Sequence, residues 1–177
     1  MKISIKKLAL QEIYKLKHPK YTDIRGSFQR LFCNKNLRKL KFNLKQINLS
    51  KNLKSKTFRG FHYQSKFSEK KIIKVLKGGI IFYAININKK SKDFKKKFKI
   101  KISEKDNFSI YISDNFATAY LTTKPHSEIL YLMGNYYAPK YAKGINFKDP
   151  QFKIRLPYKP RVISNKDKNL NFLIWKN

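Results

Sequence analysis

KKIIKVLKG (residues 70–78) runs directly into GIIFYAININ (79–88), and the reading of this pair decides the fold. Both segments are rich in β-branched and aromatic residues, and Gly, Asn and Lys bound them. Runs of that length and composition are strands rather than helices. The same texture extends outward in both directions. Upstream lie LKQINLS (44–50) and TFRGFHYQ (57–64); downstream lies KKFKIKIS (96–103), whose apolar and charged residues alternate at period two, as in a strand with one wet face. FSIYISD (108–114), ATAYLTT (117–123) and EILYLMGNYY (128–137) follow at similar spacing, and SFQRLFC (27–33) reads as an earlier strand. Short strands roughly every ten residues predict an all-β sandwich or barrel. NKNLRKL (34–40) reads as a loop or short helix, and helix signals are otherwise confined to the N-terminal stretch and the tail. The Pro- and Tyr-rich segment 137–160 is expected to wrap the surface, as functional loops do.

A chain of 177 residues suits a single domain, 1–177, and no repeat or linker divides it. With 41% hydrophobic and 15% aromatic residues it has material for a packed core. No apolar run approaches the roughly 18 residues of a membrane span, and the lysine-studded start MKISIKKLALQEIYKLKHPK lacks the apolar region of a secretory signal. The lone Cys33 has no partner for an internal disulfide, which is compatible with a reducing cytosol. The formal charge of +32 raises a nucleic-acid-binding reading. Against it, only six of the 42 basic residues are arginine, the side chain that phosphate-reading surfaces recruit for bidentate contacts. The bland reading is a solvated lysine surface, whose field still attracts anionic substrates.

Histidine is scarce: His18, His62 and His126. No HxH, HExxH or CxxC is present, so no metal site is expected. His18 and His126 sit in turn-like segments and are expected to be exposed and idle. His62 sits in Arg59-Gly60-Phe61-His62-Tyr63-Gln64. On a regular strand, Gly60, His62 and Gln64 share a face, with Gly60 opening space, while Arg59 lies opposite unless a bulge turns it inward. A lone strand histidine is more often structural, and its company elsewhere in the chain reverses those odds.

Eight motifs in order supply that company. They are Asp23-Ile24-Arg25-Gly26-Ser27-Phe28, Gln46-Ile47-Asn48-Leu49-Ser50, the segment around His62, Lys71-Ile72-Ile73-Lys74-Val75, Glu128-Ile129-Leu130-Tyr131, Tyr137-Ala138-Pro139, Gly144 to Pro150, and Ile163 to Asp167. In them the chain resembles the dTDP-4-dehydrorhamnose 3,5-epimerase family along nearly its whole length. The resemblance implies a double-stranded β-helix, that is, a cupin-like jelly roll with short peripheral helices. It implies a homodimer in which an exchanged N-terminal strand covers a sheet edge. It also implies cofactor-independent epimerisation of a nucleoside-diphosphate 4-keto-6-deoxyhexose, dTDP-4-dehydro-6-deoxyglucose foremost, at C3, C5 or both, in cytoplasmic deoxysugar synthesis for surface polysaccharide. No cofactor is needed there, because the substrate's ketone is the electron sink.

By the same resemblance His62 matches the base and Asp167 the carboxylate that orients it. Lys71 matches the lysine that stabilises the enolate oxygen, and Tyr131 the acid on the opposite face. Arg59 matches a diphosphate-binding arginine. Gln46 and Asn48 match contacts to sugar or phosphate, Arg25 and Phe28 residues reaching the nucleotide from a partner subunit, and Tyr137 a tyrosine beside the base. Each has a plainer alternative: Tyr131 and Tyr137 as packing, Lys71 as one lysine among 36, Asp167 or Ser164 as a helix cap, and Gly26 and Gly60 as markers of bulges.

Two positions depart from the family. Its Gly-Phe-Ala-His-Gly-Phe stands here as Asn115-Phe116-Ala117-Thr118-Ala119-Tyr120, and its Val-Asp-Leu/Ile-Arg aspartate as Asn86. Three meanings are open: a neutral Asn86–Thr118 hydrogen-bonded pair with activity kept, a different keto sugar or a single inverted carbon, or drift to a silent nucleotide-sugar binder. Survival of His62, Lys71, Tyr131 and Asp167 favours the first two.

Overall fold

The structure, a computed structural model, describes residues 2–174. Its strands are β1 (Ser4–Lys7), β2 (Ile13–Lys17), β3 (Lys20–Asp23), β4 (Gly26–Gln29), β5 (Gln46–Asn52), β6 (Thr57–Gln64), β7 (Lys71–Lys77), β8 (Gly79–Asn86), β9 (Lys97–Ser103), β10 (Phe108–Ile112), β11 (Phe116–Thr122), β12 (Ser127–Met133), β13 (Ala142–Gly144) and β14 (Val162–Ile163). The α-helices are two single turns, α1 (Asn34–Leu37) and α2 (Asn165–Lys168). One sheet runs β1-β2-β10-β7-β12-β5 and faces a second, β13-β6-β11-β8-β9, with β14 added to β6 in parallel. This is the jelly roll the resemblance implies, within the sandwich-or-barrel class that the strand spacing predicts.

Alternation decides what each strand buries. Ile13, Ile73 and Ile110 of the first sheet meet Phe82, Phe116 and Tyr120 of the second in the cluster between the sheets. The outer face of the first sheet packs Ile72, Tyr111 and Leu132 against Leu37 and Phe42. The outer face of the second packs Phe58, Phe61 and Tyr83 against Ile145 and Phe152 of the wrapping segment. Each such side chain, once fully buried, is worth about 1.5–3 kcal/mol, so the wrap is held as firmly as a layer of core. β8 is buried along its whole length and β7 from Lys71 to Val75, because both faces are covered there.

One expectation fails here. The N-terminal stretch is a β1–β2 hairpin rather than a helix. Its apolar residues alternate, with Ile3 and Leu16 buried against the first sheet, and pairing of β2 with β10 outweighs helix propensity. The element that stands free is the next hairpin, β3–β4, which carries exposed Tyr21, Ile24 and Phe28.

His18 is buried, against expectation. Its Nδ1 contacts the Arg30 carbonyl at 3.0 Å and its Nε2 the Ser109 hydroxyl at 2.9 Å. Asn107 donates to the His18 carbonyl at 2.7 Å and receives Gln29, so the two legs of the free hairpin are clamped to the start of β10. Burial, then the nearby Lys74 charge, lowers His18 to about 4. His126 is exposed, as expected, in a left-handed turn.

Candidate active site

Strand parity builds the site from the interior face. Tyr131 on β12 lies opposite Asn48 on β5 and Ile73 on β7, and Met133 opposite Gln46 and Lys71. Directly opposed residues share a face, so Gln46, Asn48, Lys71 and Tyr131 all belong to the inside of the first sheet. On β5 this inverts the usual pattern: Gln46, Asn48, Ser50 and Asn52 point inward, while Ile47 and Leu49 face outward and are exposed. A strand that turns its polar side inward lines a wet cavity rather than a core.

The second sheet contributes through a bulge. Arg59 pairs with Tyr120 and His62 with Thr118, so Gly60 and Phe61 together face Ala119. The extra residue brings Arg59 and His62 to the same face, the case in which the sequence allowed Arg59 to turn inward. Gly60 is required there. It has φ +119°, and a Cβ would stand 2.5 Å from the Thr118 carbonyl oxygen. It therefore allows β11 to approach rather than opening space beside His62.

His62 Nε2 lies 2.8 Å from Asp167 Oδ1, and the other carboxylate oxygen accepts the Gly60 amide at 3.1 Å. Asp167 is buried in α2, and Ser164 caps that turn by accepting the Asp167 amide at 3.1 Å. The Asp167 side chain is thus free to serve His62, and the capping role falls to Ser164. Burial alone would raise the Asp167 carboxyl. The His62 hydrogen bond and charge, the Gly60 N–H and Arg59 outweigh it, and the net shift is downward. An ionised Asp167 fixes the proton on His62 Nε2 and leaves Nδ1 as the basic nitrogen, with no hydrogen-bond partner among the described residues.

Lys71 is buried. Its Nζ sits 3.4 Å from Glu69 and 3.4 Å from the Thr118 hydroxyl. Burial lowers the ammonium's pKa while Glu69 pulls it back up. Burial, then the neighbouring Tyr120 phenol, holds Tyr131 well above the usual tyrosine range, against the pull of Arg59. It is a phenol at any working pH.

Arg59, His62, Glu69, Tyr137 and Asp167 line one cavity of about 500 Å³. Tyr137 is exposed, and its amide donates to Gln46, whose own amide donates to Asn48 at 2.9 Å. Gln64 also lines the cavity, but its amide is spent on the backbone of Phe67, Tyr136 and Ala138, so it anchors loops. Arg25 pairs with Asp23 at 2.6 Å on the free hairpin, and neither it nor Phe28 lines the cavity.

The Asn86–Thr118 pair, one of the three meanings left open, does not form. Asn86 bonds Ser91 and the Asn88 amide, so it secures the β8–β9 connection, and Thr118 receives Lys71 instead. Asn86 sits opposite Phe116, one strand repeat away from Thr118. Among the described residues, no three His, Cys, Asp or Glu side chains cluster closely enough to hold a metal ion. Sequence reasoning passed over Glu69, Asn52 and Tyr120. For Tyr120 the signal was present, because alternation puts it on the face of Thr118.

Known proteins give the geometry its context. A profile described as dTDP-4-dehydrorhamnose 3,5-epimerase matches residues 7–174. The Methanothermobacter thermautotrophicus protein of that name is 27% identical over 161 residues, covering 88% of this chain and 84% of its own. The crystal structure of the Bacillus anthracis enzyme, with TDP and pyrophosphate bound, superposes with a TM-score of 0.91 at 25% identity, covering 97% of this chain and 99% of that one. The Legionella pneumophila enzyme in complex with dTDP-4-keto-L-rhamnose gives 0.90 at 26% identity, covering 96% and 92%. The chain belongs to the dTDP-4-dehydrorhamnose 3,5-epimerase family and is an isomerase, a carbohydrate epimerase of deoxysugar biosynthesis.

Proposed function

We propose that the chain epimerises dTDP-4-dehydro-6-deoxyglucose at C3, C5 or both by proton removal and return, as one domain acting in the cytoplasm. The observation that carries this reading is the 2.8 Å His62–Asp167 pair at the cavity, with a protonated Tyr131 on the facing sheet. The C4 ketone acidifies the hydrogens on C3 and C5. His62 Nδ1 takes one, its imidazolium is stabilised by Asp167, and the C–H electron pair becomes an enolate. The buried Lys71 ammonium offsets the charge on the enolate oxygen, where low dielectric strengthens the interaction. Tyr131 returns a proton to the opposite face and inverts the carbon. Arg59 suits the diphosphate, Gln46 and Asn48 the sugar, and Tyr137 the base. The ketone itself accepts the electrons, so the chemistry calls for no cofactor.

A homodimer belongs to the same reading. β5 is an open edge with Ile47 and Leu49 outward, and the free hairpin presents Tyr21, Ile24 and Phe28. Both are surfaces that a second copy would cover, bringing Arg25 and Phe28 to the neighbour's nucleotide.

The test is incubation with dTDP-4-dehydro-6-deoxyglucose in deuterated water, followed by NMR. Deuterium enters at C3 or C5 in the native protein and slows by about 10²–10⁴-fold in His62→Ala. No exchange in a folded protein that binds dTDP would leave a silent binder. Tight nucleic-acid binding at physiological salt would favour the reading drawn from charge.

A further inference from the structure

Between the two sheets a hydrogen-bond chain joins β5, β6 and β11, and the roles above leave it unused. Asn52 anchors it. Its amide nitrogen donates to the Ser127 carbonyl at 3.1 Å and to the Ser50 carbonyl at 3.4 Å, which orients the amide with Oδ1 toward the site. Oδ1 then receives Arg59 Nε at 3.1 Å and the Tyr120 hydroxyl at 3.1 Å. An amide oxygen carries lone pairs and no proton, so the single proton of Tyr120 is committed to Asn52. It follows that Ser50, 2.8 Å from the same phenol, is the donor in that contact. Tyr131 packs against the buried cluster between the sheets that contains Tyr120, so the Tyr120 oxygen is left as an acceptor close to it. Ser50 is only half-buried, so the chain ends at a partly open residue of β5.

We propose that Tyr120 is a positioning residue for the proton return: it aims the Tyr131 hydroxyl in the resting site and turns its own hydroxyl, proton kept, to hydrogen-bond the Tyr131 phenolate once the transfer is made. The inference rests on Tyr131 being the acid. In the step, the Tyr131 O–H bond breaks, the proton forms the new C–H bond with the enolate carbon, and the O–H electron pair stays on Tyr131 as phenolate. The Tyr120 hydroxyl swings from Asn52 to that phenolate as a hydrogen-bond donor. His62 still holds the proton it removed, so one proton passing through water from His62 to Tyr131 restores both groups. No oxidant, reductant or other reactant enters.

Tyr120→Phe removes one oxygen and tests the idea. With the 4-keto sugar in deuterated water, two rates are followed: deuterium entering recovered, uninverted substrate, which needs only His62, and formation of inverted product, which needs Tyr131. The expected result is an about ten-fold fall in product formation, the scale of one lost hydrogen bond, with wash-in to uninverted substrate preserved. The ratio of the two rates therefore rises about ten-fold. Ser50→Ala, further along the chain, moves the same ratio in the same direction by less. Equal slowing of both rates in Tyr120→Phe, or no change in either, overturns the proposal. Absence of any exchange in the native protein, measured alongside, removes instead the epimerase reading beneath it.

Discussion

At the scale of single residues the site depends on buried charges that hold one another in place. Glu69 is the clearest case. It lies 3.4 Å from the Lys71 ammonium, and both side chains are buried. Burial already lowers Lys71, and Glu69 opposes that shift. In Glu69→Gln the ammonium therefore loses its proton at lower pH, and because the charged form supports the enolate, the alkaline limb of the kcat profile moves to lower pH. Glu69→Asp keeps the carboxylate and moves it less; identical profiles for all three proteins would show that Glu69 does not act through Lys71. Gly60→Ala is expected to destabilise by at least about 2 kcal/mol in denaturant melts, from a positive φ and a clash with β11 backbone together. His62, Lys71, Tyr131 and Asp167 were legible as members of motifs. Glu69 was not, because it sits in a lysine-rich run that reads as surface, and His18 was misread because a following proline suggested an exposed turn.

At the scale of elements, spacing and period two announced most of the strands, and the exceptions are instructive. β5 reads as an ordinary strand, QINLSKN, until its facing is known. Alternation states that 46, 48, 50 and 52 share a face but not that this face looks inward. That depends on Tyr131 and its neighbours across the ladder, which are distant in sequence. The bulge in β6 is equally non-local, since only the pairing with β11 reveals that Arg59 and His62 lie on one side. The outward apolar pair gives β5 its own test. On the homodimer proposed above, Ile47→Lys combined with Leu49→Lys should shift the sedimentation coefficient from dimer to monomer with the fold retained by circular dichroism, because two charges on an edge strand oppose pairing. An unchanged dimer would exclude β5 from the contact.

At the scale of the whole molecule, two properties follow from charge and burial. His18 titrates near 4 when folded and near its ordinary 6.5 when unfolded. Above about 6.5 both states are neutral and its contribution is complete. Below that the unfolded chain binds the proton first, so stability declines until about 4 and then levels off. His18→Gln should flatten that part of a plot of melting temperature against pH. The net charge of +32 predicts that affinity for dTDP falls as salt rises, with most of the loss in the association rate. Overall architecture was readable because it follows from strand count and pattern. The role of Asn86 was not, because its hydrogen bonds depend on how the β8–β9 connection folds back.

The partner of His62 has an unusual address. Asp167 stands in neither sheet; it rides on a one-turn helix capped by Ser164 and moored to the barrel by the two-residue strand β14. So small a mooring can open by itself while both sheets remain closed. On warming, catalysis should therefore fail before the barrel melts, and amides of 162–168 should exchange with solvent far sooner than those of β8. The enzyme would then have a working temperature set by seven residues and a survival temperature set by the rest, with inactivation fully reversible in the interval between them.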